Sequence, residues 1–216
     1  YMPAKLEHLD YPEEWAFDEA NKTLYLYASD NYTPTSNNVR VRVRDRFVRF
    51  RDAYNFELKN LHFFAGSIDI CCGYWTIEDS KFSFSYYYGG RNLKVNSGRG
   101  SNVTIRNTIF EHINDGPPIR MRGNEQTFEN ILVRYHDWYT GSSNYFQDGS
   151  PSYFRYVTFE NSYSAGIFSN AGSLIEYARF ENLYDGCDCS GIQRNANNTL
   201  YSTTRYTWII NAPGLN

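Results

Sequence analysis

The sequence predicts an all-β protein. Its fold is a single-stranded, right-handed parallel β-helix of about seven to eight coils, preceded by a short N-terminal hairpin. Three observations carry this. First, a large apolar residue is followed five positions later by another, in Leu58/Phe63, Ile77/Phe82, Ile105/Phe110, Phe128/Val133, Phe154/Phe159 and Ile175/Phe180, with a weaker Thr204/Ile209. Second, these starts lie 19, 28, 23, 26, 21 and 29 residues apart, and a repeat near this length that tolerates insertions marks a solenoid. Third, two residues after each start stand Asn60, Asp79, Asn107 and Asn130, then Tyr156, Tyr177 and Tyr206. A strand keeps one face at even offsets, so an offset of five demands a bend between the two apolar residues. Asn and Asp tolerate the left-handed conformation of such a corner. Tyr does not favour it, but a column of Tyr can stack on itself. Each repeat is therefore one coil, and the corner residues form ladders. The right-handed sense follows from the general crossover rule.

Taken in order, residues 1–14 are polar and irregular, with Pro3 and Pro12. Trp15, Phe17, Leu24 and Leu26 alternate around a polar turn at Asp18 to Lys22, which reads as a hairpin. A loop rich in Asn, Ser, Thr and Pro follows from Asp30 to Asn38. Val39, Val41 and Val43 alternate with Arg40, Arg42 and Arg44, which predicts a half-buried strand with a basic face. That face is either solvated or a groove for an anionic polymer such as a sulfated or uronic polysaccharide. The longest gaps between units, Phe82 to Val103 and Phe180 to Thr204, read as insertions, and loops on one side of a solenoid commonly form its binding face. The division expected is 1–38 for hairpin and loop and 39–216 for one continuous β-helix. Nothing after the seventh unit has the polar outer face of a capping repeat. The expectation is a longer parent chain, or another molecule covering the end.

Composition sets bounds. The 216 residues suffice for one domain with a continuous core, and 41% hydrophobic with 21% charged residues is an ordinary globular balance. Net charge is −3, which does not point to nucleic acid, and no apolar run approaches a membrane span. Tyr1 is no initiator, so the numbering is expected to start inside a longer or processed chain. The cysteines form two tight pairs, Cys71-Cys72 and Cys187-Asp188-Cys189, without the spacing or the histidines of a metal site. No metal is expected there. Disulfides are the better reading, and they imply an oxidising compartment and a secreted protein. The two pairs are five coils apart, roughly 24 Å at one strand spacing per coil, while a disulfide needs Cα atoms within about 7 Å. At least one cysteine is therefore expected to bond beyond this segment. Glycosylation sequons stand at Asn21, Asn31, Asn102 and Asn197.

The units Val103-Thr104-Ile105-Arg106-Asn107 and Ile175-Glu176-Tyr177-Ala178-Arg179-Phe180-Glu181-Asn182 resemble coils of the right-handed parallel β-helix proteins of the pectate-lyase-like superfamily. The resemblance spans roughly residues 50 to 216. The opening Glu14-Trp15, Asp18 and Thr23-Leu24-Tyr25-Leu26 looks like the segment preceding the helix in large secreted members. Members of that superfamily include polysaccharide lyases, glycoside hydrolases, adhesins and phage spikes. The paired adjacent aspartates of polygalacturonases and a Lys-x-Arg lyase motif are absent, so no catalytic role is carried over.

The residues themselves offer one candidate ridge. Asp115 lies ten residues after Ile105, Asp185 ten after Ile175 and Asp137 nine after Phe128, so regular registers bring the three carboxylates to one side. His112, His136, Trp138, Tyr139 and Asp188 are neighbours, and Arg120, Arg122 and Arg194 occupy the next strand segments. Two carboxylates flanking a sugar serve as general acid and base, or as acid and nucleophile. A lyase needs instead a cation or Ca²⁺ to neutralise a uronate, and a Lys, Arg, His or Tyr base; otherwise no cofactor is expected. Against this, Asp115-Gly116, Asp148-Gly149 and Asp185-Gly186 are ordinary turn chemistry. His112 and His136 suit satisfied edge residues, and the arginines suit pairing with Glu111, Glu129, Glu160 and Glu181. The expectation is thus an extracellular structural β-helix, a subunit or segment of a larger filamentous, glycosylated assembly, with partners in other copies or a parent chain. The alternatives are a secreted lyase or hydrolase on an acidic polysaccharide, using Asp115, Asp137 and Asp185, and a carbohydrate-binding module using Arg120, Arg122, Trp138, Tyr139 and Arg194.

Overall fold

A computed structural model describes residues 6–12, 14–29, 33–41, 46–50, 54–71, 73–85, 93–96, 102–113, 119–122, 125–136, 144–147, 151–163, 165–169, 171–184, 191–194 and 201–211. The chain divides into two compact units, Tyr1–Val43 and Arg44–Asn216.

The first unit holds a short 3-10 helix, Leu6–His8, and the expected hairpin, in which β1 (Trp15–Asp18) pairs antiparallel with β2 (Thr23–Leu26). Its turn closes because the Asp18 Oδ1 accepts the N–H groups of Ala20 and Asn21, at 3.0 and 3.1 Å, while Lys22 takes a left-handed φ of 54°. The Val/Arg strand does not begin where the alternation suggests. Val39–Val41 carries no strand and Val41 is exposed; the N–H of Val39 is spent on the Thr35 carbonyl at 2.9 Å, inside a turn. Residues 42–45 lie outside the described residues.

The second unit is a parallel β-solenoid. Its strands in chain order are β3 (Arg46–Phe50), β4 (Phe56–Lys59), β5 (His62–Phe64), β6 (Ser67–Cys71), β7 (Trp75–Glu78), β8 (Lys81–Ser83) and β9 (Leu93–Asn96). There follow β10 (Val103–Glu111), β11 (Ile119–Arg122), β12 (Gln126–Arg134), β13 (Asn144–Gln147), β14 (Ser152–Tyr163) and β15 (Ala165–Ser169). The last are β16 (Leu174–Glu176), β17 (Arg179–Tyr184), β18 (Ile192–Arg194), β19 (Thr203–Arg205) and β20 (Trp208–Ile210). One column runs β4-β7-β10-β12-β14-β16-β19 and a second runs β3-β6-β9-β11-β13-β15-β18. Among the described residues each column holds seven strands. The gaps read as insertions each contain a strand of the second column, β9 and β18.

The repeat assigned from sequence is the register of the sheet. Ile77, Ile105, Phe128, Phe154, Ile175 and Thr204 align across adjacent strands, as do Phe63, Phe82, Phe110, Val133, Phe159, Phe180 and Ile209. The bend between the two rows is real. Asn60, Asp79, Asn107, Asn130, Tyr156, Tyr177 and Tyr206 all have φ between 51° and 56°. A second left-handed column lies five residues on, at Ala65, Phe84, His112, Tyr135, Asn161, Asn182 and Asn211.

Stacking buries the apolar rows. Phe63, Ile77, Phe82, Ile105, Phe110, Phe128, Val133, Phe154, Phe159, Ile175 and Phe180 are core residues. Rings stack face to face along the axis, with Phe63–Phe82 at 4.7 Å, Phe82–Phe110 at 5.0 Å and Phe159–Phe180 at 5.3 Å, near the strand spacing. Two expected core residues differ. Leu58 is half-buried, and Ile209 is 49% exposed, because among the described residues β4 pairs with β7 alone and β20 with β17 alone.

Candidate functional site

The outward position just after each coil start builds a charge ladder. In register stand Lys59, Glu78, Arg106, Glu129, Arg155, Glu176 and Arg205, with the sign changing at every step. Glu78 is gripped by Lys59 Nζ at 3.2 Å and Arg106 Nη2 at 3.0 Å, and Glu176 by Arg155 Nε at 2.7 Å and Arg205 Nη2 at 2.7 Å. Beyond the corner, Glu111 takes Lys81 from one side and the Arg134 Nε and Nη2 from the other, at 3.0 and 2.8 Å. Glu78, Glu111 and Glu176 are buried although charged. Hydrogen bonds from Arg106 to Glu78 and from Arg205 to Glu176 hold these carboxyls below the usual range, against the upward push of burial. At Glu111 burial is the largest effect and pushes upward, but the hydrogen bonds from Lys81 and Arg134 and their charges outweigh it, so its pKa too is lowered. Carboxylates fixed in the ionised form do not supply the protonated acid that glycoside cleavage needs.

The two corner columns are complementary ladders. In the first, Asn107 Nδ2 donates to Asp79 Oδ1 and Asn130 Nδ2 to Asn107 Oδ1, both at 3.0 Å, and then Tyr156, Tyr177 and Tyr206 stack at 4.9 and 5.0 Å. In the second the order inverts: Phe84, His112 and Tyr135 stack at 4.6 and 5.0 Å, and then Asn182 donates to Asn161 and Asn211 to Asn182. Within each run amides face amides and rings face rings, and both columns change type at the same step, between Asn130 and Tyr156 in the first and between Tyr135 and Asn161 in the second. His112 is thus a corner residue between two rings, while His136 is buried rather than at an edge. His62 Nε2 lies 2.6 Å from the Ser83 Oγ, but Ser83 is 1% exposed and presents no nucleophile to a substrate.

Asp115, Asp137 and Asp185, with Trp138 and Tyr139, lie outside the described residues. In sequence Asp115 lies between β10 and β11, Asp137 between β12 and β13 and Asp185 between β17 and β18; β11, β13 and β18 belong to the second column, and β10 and β12 but not β17 to the first. Arg120 and Arg122 share β11, and Arg120 aligns with Lys94 and Gln147. Arg194, on β18, aligns with Ser169 and stands two residues after Ile192, which packs on the core. Cys71 ends β6; Cys72, Cys187 and Cys189 are outside the described residues, as are Asn31 and Asn197. Asn21 and Asn102 are exposed, and each amide nitrogen donates to a carboxylate, Asp18 at 2.7 Å and Glu125 at 3.1 Å. Among the described residues no group of three or more His, Cys, Asp or Glu could hold a metal ion, and no helix is long and apolar enough to cross a membrane.

Sequence reading missed the second corner column and the second face of the core, Ile68, Ile70 and Ile167, which are fully buried. A period of five carried on from the first corner would have found the corner column. Compared with known protein families, characterised proteins and solved structures, the chain matches none.

Proposed function

We propose that the chain is an extracellular structural β-solenoid, a segment or subunit of a larger filamentous and glycosylated assembly, built on the pectate-lyase-like β-helix plan. One observation supports it above the rest: on the described face, the buried carboxylates Glu78, Glu111 and Glu176 and the tyrosines of the first corner are engaged with neighbouring coils. The carboxylates are neutralised in the charge ladder, and the tyrosines of the first corner cover one another's faces at 4.9 and 5.0 Å. Sugar stacking needs an open ring face, and a closed ladder offers mainly edges. The same features that disfavour catalysis stiffen a rod.

Electron microscopy and non-reducing electrophoresis of native material test this reading. The expected result is an extended assembly that loosens on reduction. Monomer-sized bands without reductant, with four free thiols by alkylation, would overturn it. The second reading, a secreted lyase or hydrolase on an acidic polysaccharide, is supported by the place of Asp115, Asp137 and Asp185 in the sequence, each in a segment that precedes a strand of the second column. Its assay is release of reducing or unsaturated ends, with and without Ca²⁺, by the chain and by its three Asp→Asn variants. Activity lost in those variants would replace the structural reading.

A further inference from the structure

The six steps between neighbouring strands of the first column are not latched alike. At five of them a charged pair joins the two coils: Lys59 to Glu78, Arg106 to Glu78, Arg134 to Glu111, Arg155 to Glu176 and Arg205 to Glu176. The remaining step, β12 against β14, has none among the described residues. There Glu129 faces Arg155 in register and Arg134 faces Glu160, yet each guanidinium turns to the coil on its far side. Arg106, on the other side of Glu129, turns away to Glu78. Glu129 and Glu160 act on Arg155 and Arg134 through charge alone. The corners break at the same step. Among the described residues the amide bonds and ring stacks of both corner columns stop on either side of it.

The second column is thin at the matching place. β11 and β13 share one register pair, Arg120 with Gln147, while every other step of that column shares three or four. Both steps belong to one seam, because β11 and β12 precede it in the chain and β13 and β14 follow it. Eight register pairs, the Phe128–Phe154 stack at 4.6 Å and a hydrogen bond from the His136 N–H to the Ser162 Oγ at 3.1 Å close it. The stability of a solenoid is a sum of terms for each coil and each interface. Coils tied by extra side-chain bonds open together, and the stack parts where those bonds are missing.

We propose that the solenoid is built as two latched blocks, one ending at β12 and the other starting at β13, which part from each other as units at this seam. Parting breaks none of the five charged pairs. It bares Phe128, Ile131 and Val133 on one block and Phe154, Val157 and Phe159 on the other, with the main-chain groups between them. This goes beyond the assembly reading and does not depend on it.

Native-state hydrogen exchange of the full chain, read residue by residue by NMR and corrected for intrinsic rates, tests the proposal. The Tyr135 N–H crosses the seam to the Glu160 carbonyl at 3.3 Å. The N–H groups of His112 and Phe84 hold the same position one and two steps nearer β4, on the Arg134 and Glu111 carbonyls, both at 3.2 Å. The Tyr135 N–H is expected to exchange at least about tenfold faster than either, through an opening shared with the Gln126 N–H, which crosses the seam to the Pro151 carbonyl. An added latch should slow that opening. Thr127 and Tyr153, neither of them buried, face each other across the seam, and their column neighbours Thr104 and Leu174 carry no charge. Thr127→Lys with Tyr153→Glu is expected to slow seam exchange by about two- to fivefold. Thr76→Lys with Thr104→Glu, a register pair inside the first block, is expected to leave it unchanged. Four results would each overturn the proposal: a Tyr135 N–H no faster than that of His112, a smooth gradient of rates from the ends, no slowing by the seam pair, or equal slowing by the pair inside the block.

Discussion

The Glu176 carboxylate accepts a hydrogen bond from the Arg205 Nε at 2.8 Å across 29 residues of sequence, with its own side chain only 3% exposed. Arg155 holds it from the other side. The contact stitches three consecutive coils, and its strength depends on the carboxylate staying ionised.

That dependence predicts acid lability with a definite sign. Glu78, Glu111 and Glu176 all have folded pKa values lowered below the ordinary carboxylate value. Their contribution is fully present above the unfolded range, about 4.3, and is lost as pH falls through the lowered folded values. Urea midpoints should hold from neutral pH to about 5 and drop below about 4. Glu176→Gln should lower the neutral-pH midpoint and flatten the acid limb. An acid limb unchanged in that variant would show that Glu176 does not carry it.

Phe110 is wholly buried, stacked on Phe82 at 5.0 Å and in register with Val133 on its other side. Phe110→Ala leaves a void that neighbours fixed by their own stacks cannot fill. The expected loss is about 3–5 kcal/mol by equilibrium denaturation. A cost under about 1 kcal/mol would mean that the coils collapse around the gap.

At the first corner, backbone and ladder can be separated. Asn107 has φ 51°, donates to Asp79 and accepts from Asn130. Asn107→Gly keeps the left-handed backbone but removes the ladder. Asn107→Ala removes the ladder and adds about 1–2 kcal/mol for a left-handed Cβ. Alanine should therefore be the worse substitution, the reverse of the order in an ordinary strand. Equal costs would show that the corner relaxes out of the left-handed region.

Corner and core rows were legible in the sequence because each depends on side-chain type. Only Asn, Asp or a self-stacking ring suits the first corner, and the five-residue step between apolar residues can be read directly. The second column of the sheet was not legible as a column. Its strands are short, between three and five residues. They also sit among connections of unequal length, so no fixed spacing from the coil start marks them. Ile68 and Ile70 look like any alternating pair until β6 is seen against β3 and β9. The second corner hid for another reason: Ala65, Phe84 and Tyr135 are not residues that signal a left-handed turn. The charge ladder was written in the sequence as Lys, Glu, Arg, Glu, Arg, Glu and Arg one place after each start, but its meaning required the register.

Gly191 shows how tightly a connecting segment is fitted to this core. A Cβ placed on it would meet the Phe180 ring at 2.9 Å, at both Cδ1 and Cγ. The ring has no easy retreat. It is fully buried, stacked on Phe159 at 5.3 Å with the planes 10° apart, and in register with Ile209 above. Nor can the backbone withdraw freely, because the Gly191 carbonyl accepts the Ile167 N–H at 2.9 Å, which ties this segment to β15. Glycine is needed here for space, not for an unusual backbone conformation. Gly191→Ala should therefore overpack the site and cost about 1–3 kcal/mol. Phe180→Leu removes the ring that causes the clash and carries its own cost for the lost stack. If the clash is the mechanism, the double variant should be less destabilised than the sum of the two singles, by about 0.5–3 kcal/mol for residues in contact. A double-mutant cycle from urea midpoints measures this coupling. Strict additivity would place the cost of Gly191→Ala somewhere other than the ring of Phe180.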